Sequence, residues 1–307
     1  MATEPITLRA TGAVARRQVI SRASRYVLLG AAMIGVAILV VLSYDTINTG
    51  AGALRWDFVT SYTSRFAEQA GVRAGILGSL WIVAVTAFAA IPVAVGTAIW
   101  IEEFAPRNRL LAIVQINLAN LAGVPSIIYG ILGLTIFVRF YSMDRSVLAA
   151  GLTLALMIIP MTVIASQEAI RQVPRSLREG ALALGATRWQ SVRHNVLPNA
   201  VPGIMTGTIL AISRAVGETA AIIMVGGFAT IFFDPGPDAT SQMTSPGAFL
   251  DGLKEGFTIL PIQIYAWTLE PRQAFREPAA AGIIVLMIGV LALNLTAAII
   301  RERFRRE

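Results

Sequence analysis

The 307-residue chain contains no cysteine, one histidine (His194) and one lysine (Lys254). Without cysteine there can be no disulfide, no thiolate metal site and no cysteine nucleophile. A single histidine excludes multi-histidine zinc centres. Charge is also scarce. Asp, Glu, Lys and Arg make up 14% of the residues, against about 25% in a soluble domain. Soluble folds are therefore poor candidates, and so is disorder, which needs low hydrophobicity and high charge.

What is present is apolar: 55% of the chain is hydrophobic. Membrane spans, not soluble domains, become the unit of count. The first run is Val27–Ser43, flanked by Tyr26 and Tyr44 as interfacial aromatics. It is about 27 Å long as a helix, close to the ~30 Å hydrocarbon core. A cleaved signal peptide is the lesser reading, with Ala51-Gly52-Ala53 as its only cleavage-like site. Further spans are expected at Ile76–Ile101 with Pro92 inside, Leu121–Val138, Val147–Ser166 with Pro160 inside, Val201–Gly226 and Ala279–Ile300. An interfacial or buried helix should precede the third span, where Gln115, Asn117 and Asn120 interrupt the apolar run. The stretch Phe257–Leu269 is too short to cross. It is expected to be interfacial or re-entrant, anchored by Tyr265 and Trp267, with a seventh span as the competing topology.

The expected fold class is all-α, a polytopic membrane protein with six transmembrane helices. Its parts are a basic tail (1–25), a first transmembrane helix (26–44), a core of spans two to six (76–300) and a second basic tail (301–307). The core includes a polar loop at about 167–199 and another at about 227–278.

Net charge is +7, and arginine distribution orients the chain. Sixteen arginines fall on one side: Arg9, Arg16, Arg17, Arg22, Arg25, Arg107, Arg109, Arg171, Arg175, Arg178, Arg188, Arg193, Arg301, Arg303, Arg305 and Arg306. Eight cations fall on the other: Arg55, Arg65, Arg73, Arg139, Arg145, Lys254, Arg272 and Arg276. The excess predicts that both termini are cytoplasmic. The basic tails then read as topology signals and lipid-headgroup contacts. Nucleic acid is not an expected partner, because no stacking aromatics interleave with these arginines.

The 167–199 loop carries the most information. Ala and Leu favour helix in its first half. Gly185 can end that helix in a left-handed cap. Thr187 can N-cap a second short helix to about Asn195, and Pro198 and Pro202 would then start the fifth span. Such a helix–glycine–helix unit is either a docking element or an ordinary connector. His194 within it is more plausibly bland than a switch.

A second signal lies inside the fifth span, where Arg214 and Glu218 stand four residues apart. Each charge costs about 2.5–3.5 kcal/mol at a helix centre. Four residues apart on one helix they share a face. They read either as a structural pair joining helices or as part of a polar pathway for a charged solute. An arginine fork suits phosphate or another oxyanion, and a nearby glutamate could moderate its affinity. The third signal is Leu121–Leu134. There Gly123, Pro125, Gly130 and Gly133 favour a kinked, close-packing span, with Ser126 and Tyr129 offering hydroxyls. Asp45, Asp57, Glu68 and the Asp234–Asp238 stretch are outward acidic residues, none of them singled out by the sequence.

The 167–199 loop resembles the motif E-A-A-x3-G-x9-I-x-L-P of permeases of ATP-binding-cassette importers. Glu179, Gly180, Ala181, Gly185, Leu197 and Pro198 fall at its spacings. Gly180 replaces an alanine, and Asn195 stands at the isoleucine position. The runs "GVPSIIYG", "RAVGET" and "IEEFAPRNR" look like permeases of the high-affinity phosphate uptake system. The late segment "LPIQIYAWTLEPRQAF", followed by a span with Asn294, looks more like its PstA-type than its PstC-type member.

That resemblance implies a type I importer permease fold in a bacterial cytoplasmic membrane. It implies that residues 179–198 form a coupling helix, and that Arg214, Glu218, Ser126 and Tyr129 belong to the translocation pathway. The implied partners are a PstC-type permease, a dimeric ATPase and an extracytoplasmic phosphate-binding protein. No cofactor would bind the chain itself, since ATP and Mg belong to the ATPase. The sequence holds no Walker loop of its own. A permease for molybdate, sulfate or phosphonate, a stand-alone transporter or channel, and a membrane enzyme are the competing readings.

Overall fold

The structure, a computed structural model, describes residues 13–237 and 246–306. Arg9 and Asp238 lie outside them. Among the described residues the regular secondary structure is helical, apart from one isolated bridge between Ser146 and Gly256. Among the described residues, five helices are long and apolar enough to cross a membrane, or six if one bent pair counts as a span.

The chain divides into two compact units, 1–49 and 50–307. The first holds nearly all of α1 (Ala13–Gly50), whose apolar side chains are exposed along its length, as in Val27, Leu39 and Val41.

The second unit is built around α6 (Val147–Arg171), in which 16 of 25 residues are buried. Against it lies α3 (Arg73–Ile99), whose helix continues through a widened turn to Phe104. The buried face of α3 recurs every four residues: Ala74, Gly78, Ile82, Thr86, Ala90, Ala94 and Ala98. Small side chains let two helix backbones approach closely. At the crossing, a Cβ on Gly151 would meet Val85 Cγ1 at 2.5 Å. The Thr86 hydroxyl there lies 2.7 Å from Ile82 O and 3.0 Å from Gly151 O.

The third span differs from expectation. Residues Leu121 and Ala122 close α4 (Arg109–Ala122), and the chain then bends by 101°. The next helix, α5, begins at Ser126 (Ser126–Gly133) and runs on in a wider turn to Phe140. Gly123 and Pro125 explain the corner, because the residue before proline is driven out of the helical region.

The fifth span also differs, at both ends. The helix is continuous from Arg188 to Val216. It comprises α8 (Arg188–Ser191), a wide turn at Val192–Val196 and α9 (Leu197–Val216). The separate short helix expected before Pro198 is therefore absorbed into the span. The wide turn takes up the donor and clash problem that Pro198 creates. At the far end the helix stops at Val216, and a new one, α10 (Ala220–Val225), follows Gly217-Glu218-Thr219.

After α11 (Pro246–Leu253), the short apolar stretch forms α12 (Leu260–Thr268), with six residues buried. Tyr265 is exposed, but Trp267 is buried with its ring 6.1 Å from Phe58. Trp267 is thus a core residue and not an interfacial anchor. The last helix, α13 (Arg276–Arg306), packs on α9 and α12. Ser213 Oγ donates to Asn294 Oδ1 at 2.6 Å across the α9–α13 contact.

Candidate functional site

Two polar regions stand out. The first is the element between α6 and α9. α7 (Arg175–Ala183) carries Glu179, Gly180 and Ala181. It ends in a left-handed glycine, Gly185, at φ +84°. Ala186 N donates to Ala181 O at 3.1 Å and Gly185 N to Leu182 O at 3.0 Å, which satisfies the last carbonyls of α7. Thr187 then caps α8 in a reciprocal box with Gln190, the two bonds measuring 2.8 and 3.3 Å. Both turn signals legible in the sequence are therefore real. His194 Nδ1 lies 3.0 Å from Gln190 O, to which it donates when that nitrogen carries the proton.

The element is fixed by residues not singled out from sequence. Arg178 lies 2.8 Å from Glu103 Oε1 and donates to Val173 O (2.7 Å) and Ile170 O (2.8 Å). One guanidinium thereby ties α7 to the ends of α3 and α6. Arg171 pairs with Glu102 at 2.7 Å and with Glu168 at 3.0 Å. Phe104 and Trp189 face each other with ring centres 6.3 Å apart. Two glutamates directly after an apolar span, facing an arginine-rich loop, were the available signal. On the outer side, Leu177, Leu182, Leu184 and Trp189 are exposed, Leu184 at 91%. A shallow groove beside Gly180, Ala181 and Leu184 has a volume of about 390 Å³. Leu197 and Pro198 open α9.

The second region is the helix break. Arg214 and Glu218 do not share a helix, because the chain leaves α9 between them. Among the described residues no ion pair joins the two. Arg214 is exposed, and its guanidinium donates to Met161 Sδ at 3.7 Å. Glu218 Oε1 instead accepts from Ala220 N (3.1 Å) and Ala221 N (3.3 Å). A carboxylate is favourable at a helix N-terminus for that reason. The expectation that the two share one helix face does not hold, because the helix breaks between them. The capped carboxylate holds the turn.

The corner before α5 sits close by. A Cβ on Gly130 would meet Ala221 O at 2.5 Å, so α5 and α10 pack backbone to backbone. Ser126 is half-buried at the first turn of α5. Tyr129 is buried, and its hydroxyl donates to Leu121 O at 2.9 Å, which latches the α4–α5 corner. The structure thus brings α5 and α10 together beside the break but gives Tyr129 a bracing bond of its own.

On the opposite face, Asp57 and Glu68 line one cavity of about 260 Å³ with Arg55. Asp234 is held by Arg73, with Nε 2.9 Å from Oδ1.

A polytopic helical bundle with a polar loop element and a charged break inside one span has the architecture of an importer permease. Two solved transporters share this fold. They are the inward-facing MetNI methionine ABC transporter (TM-score 0.59, 18% identity, 75% of this chain and 94% of that one) and a bacterial ABC transporter that imports alginate (TM-score 0.60, 19% identity, 93% and 99%). The chain belongs to the binding-protein-dependent transport system inner membrane component family, which matches residues 90–306.

Among its relatives is a protein described as a probable ABC transporter permease, YqgI of Bacillus subtilis strain 168. It is 32% identical over 272 residues, 88% of this chain and 90% of the relative. The phosphate transport permease PstA 1 of Mycobacterium tuberculosis H37Rv is 31% identical over 231 residues, 75% of this chain and 70% of its own. The phosphate permease PstC of Haemophilus influenzae is 33% identical over 227 residues, 66% and 70%. The chain is thus a multi-pass permease subunit of an ABC importer, a transport component and not an enzyme. Such importers work with an ATPase and a binding protein.

Proposed function

We propose that the chain is a PstA-type permease that forms half of the path of an ATP-driven inorganic phosphate importer. The observation that carries the reading is the unbroken helix from Arg188 to Val216. At about 1.5 Å per residue, its 29 residues make a rod of about 43 Å. One end is the α7–α8 element and the other is the Arg214–Glu218 break. A push on α7 and α8 therefore reaches the break through a single rigid body. Residues 179–198 dock on the ATPase, with exposed Leu177, Leu182 and Leu184 as apolar contacts and Glu179 at the rim. Arg214 and Ser126 line the route, Glu218 sets the break beside them, and Tyr129 holds the corner of α5.

Arg214 supports the oxyanion reading because no carboxylate neutralises it in the described structure. A guanidinium fork binds phosphate in two parallel bonds. Alternating access around a broken helix near the membrane midplane is the general logic of such carriers. The arginine excess favours a cytoplasmic position for both termini and the α7–α8 element, and in this reading a PstC-type permease supplies the other half of the path. The relatives named PstA match 75% of the chain in one case and 92% in another, which favours the PstA-type reading.

The test is uptake of labelled phosphate by proteoliposomes holding the assembled complex and its binding protein. Uptake should require ATP and yield to unlabelled phosphate, but not to sulfate or molybdate. Transport of molybdate or sulfate in place of phosphate would reassign the cargo, and uptake without the ATPase would remove the coupling role.

A further inference from the structure

A cleft of about 460 Å³ opens between the end of α3, the end of α6, α7 and α8. Five arginines and three glutamates contribute to its walls. Glu102 and Glu103 are already engaged by Arg171 and Arg178. That leaves Arg107, Arg175 and Arg188 facing the cleft, each without an ion pair among the described residues, against Glu179 alone. These three arise from different segments: the loop after α3, the first turn of α7 and the first turn of α8. At the floor, Ser191 is only 3% exposed, and its hydroxyl is buried without a hydrogen-bond partner. A buried hydroxyl left unpaired costs free energy that a ligand oxygen can recover.

We propose that this cleft is a binding site for a phosphate-type oxyanion group, distinct from the route at Arg214. Converging guanidinium groups recognise such a group through charge-assisted bonds. The Ser191 hydroxyl supplies a neutral donor. The volume falls in the range of small-ligand sites, about 300–1,000 Å³. The bound group bridges α7 and α8 across the Gly185 turn and ties both to the loop after α3. It thereby stiffens the element that meets the ATPase. Free phosphate and a phospholipid headgroup present the same chemistry to these residues. The site holds whatever the cargo is, because none of its residues belongs to the proposed path.

The experiment is hydrogen exchange on the full chain in phosphatidylcholine nanodiscs, read on peptides from 175–196. Added inorganic phosphate should slow exchange there, while chloride at matched ionic strength should not. An Arg175→Gln/Arg188→Gln variant should weaken the effect by about tenfold or more. Arg107→Gln, on a separate loop, provides the same reading if the double variant folds poorly. Arg214→Ala should keep the protection. Repeating the measurement without phosphate in phosphatidylglycerol nanodiscs identifies the source, and protection by either source supports the site. Four results would overturn it: equal protection by chloride, undiminished protection in the arginine variants, loss of protection in Arg214→Ala, or protection seen only when the ATPase is added. The last would make the cleft a protein contact.

Discussion

The α7–α8 element and the α9–α10 break both concentrate charge, but they hold it differently. In the first, Glu102 and Glu103 bind Arg171 and Arg178 across segments far apart in sequence. In the second, two charges only four residues apart are not paired at all. Pairing at the loop makes a firm mount. Separation at the break leaves Arg214 available and spends Glu218 on a helix start. Proximity along the chain was a worse guide to partnership than the course of the backbone.

The largest expected effect comes from removing the mount. Arg178→Ala leaves the Glu103 carboxylate, 9% exposed, without its cation and two carbonyls without their donor. Arg178 is itself 21% exposed, so the loss falls below the about 3–5 kcal/mol of a fully buried pair. Thermal unfolding of the purified complex should fall, and the ATPase should no longer co-purify. A wild-type yield of complex would break the contrast between mount and path.

Gly185→Ala comes next. Nothing lies within 4 Å of its added Cβ, so only the positive φ is penalised. That strain is about 1–2 kcal/mol. Coupled ATPase activity should drop while the membrane bundle keeps its stability; Asn, which tolerates this conformation, should restore most of it.

Glu218→Ala removes the cap of α10 and should cost about 1 kcal/mol. Hydrogen exchange at Ala220 and Ala221 should rise locally. If it does not, the glutamate is not what holds the break.

The smallest effect belongs to Arg171→Gln. Its side chain is 46% exposed, and exposed pairs contribute about 0–1 kcal/mol. Stability should barely change, in contrast to Arg178 a few residues away.

The local signals were legible in the sequence. Gly185 and Thr187 act through their own backbone and the next three residues, so the turn and the cap follow from residue type. The α3 and α6 spans were legible from length and composition. What was missed depends on tertiary context. Pro198 and Pro202 read as a helix start, yet the wide turn at Val192–Val196 carries the helix straight through. The apolar run Val201–Gly226 conceals a break that Glu218 caps. Trp267 looked interfacial until Phe58, more than two hundred residues earlier, covered it. Arg178 could be matched to Glu103 only once the ends of α3 and α6 were side by side.

The most direct test of the account is ATP-dependent phosphate uptake by the assembled complex carrying Arg214→Ala. The account predicts normal assembly and ATPase binding with uptake largely lost, because the oxyanion has lost its guanidinium while the Arg188–Val216 rod is intact. Uptake at the wild-type rate in a normally assembled complex would contradict it.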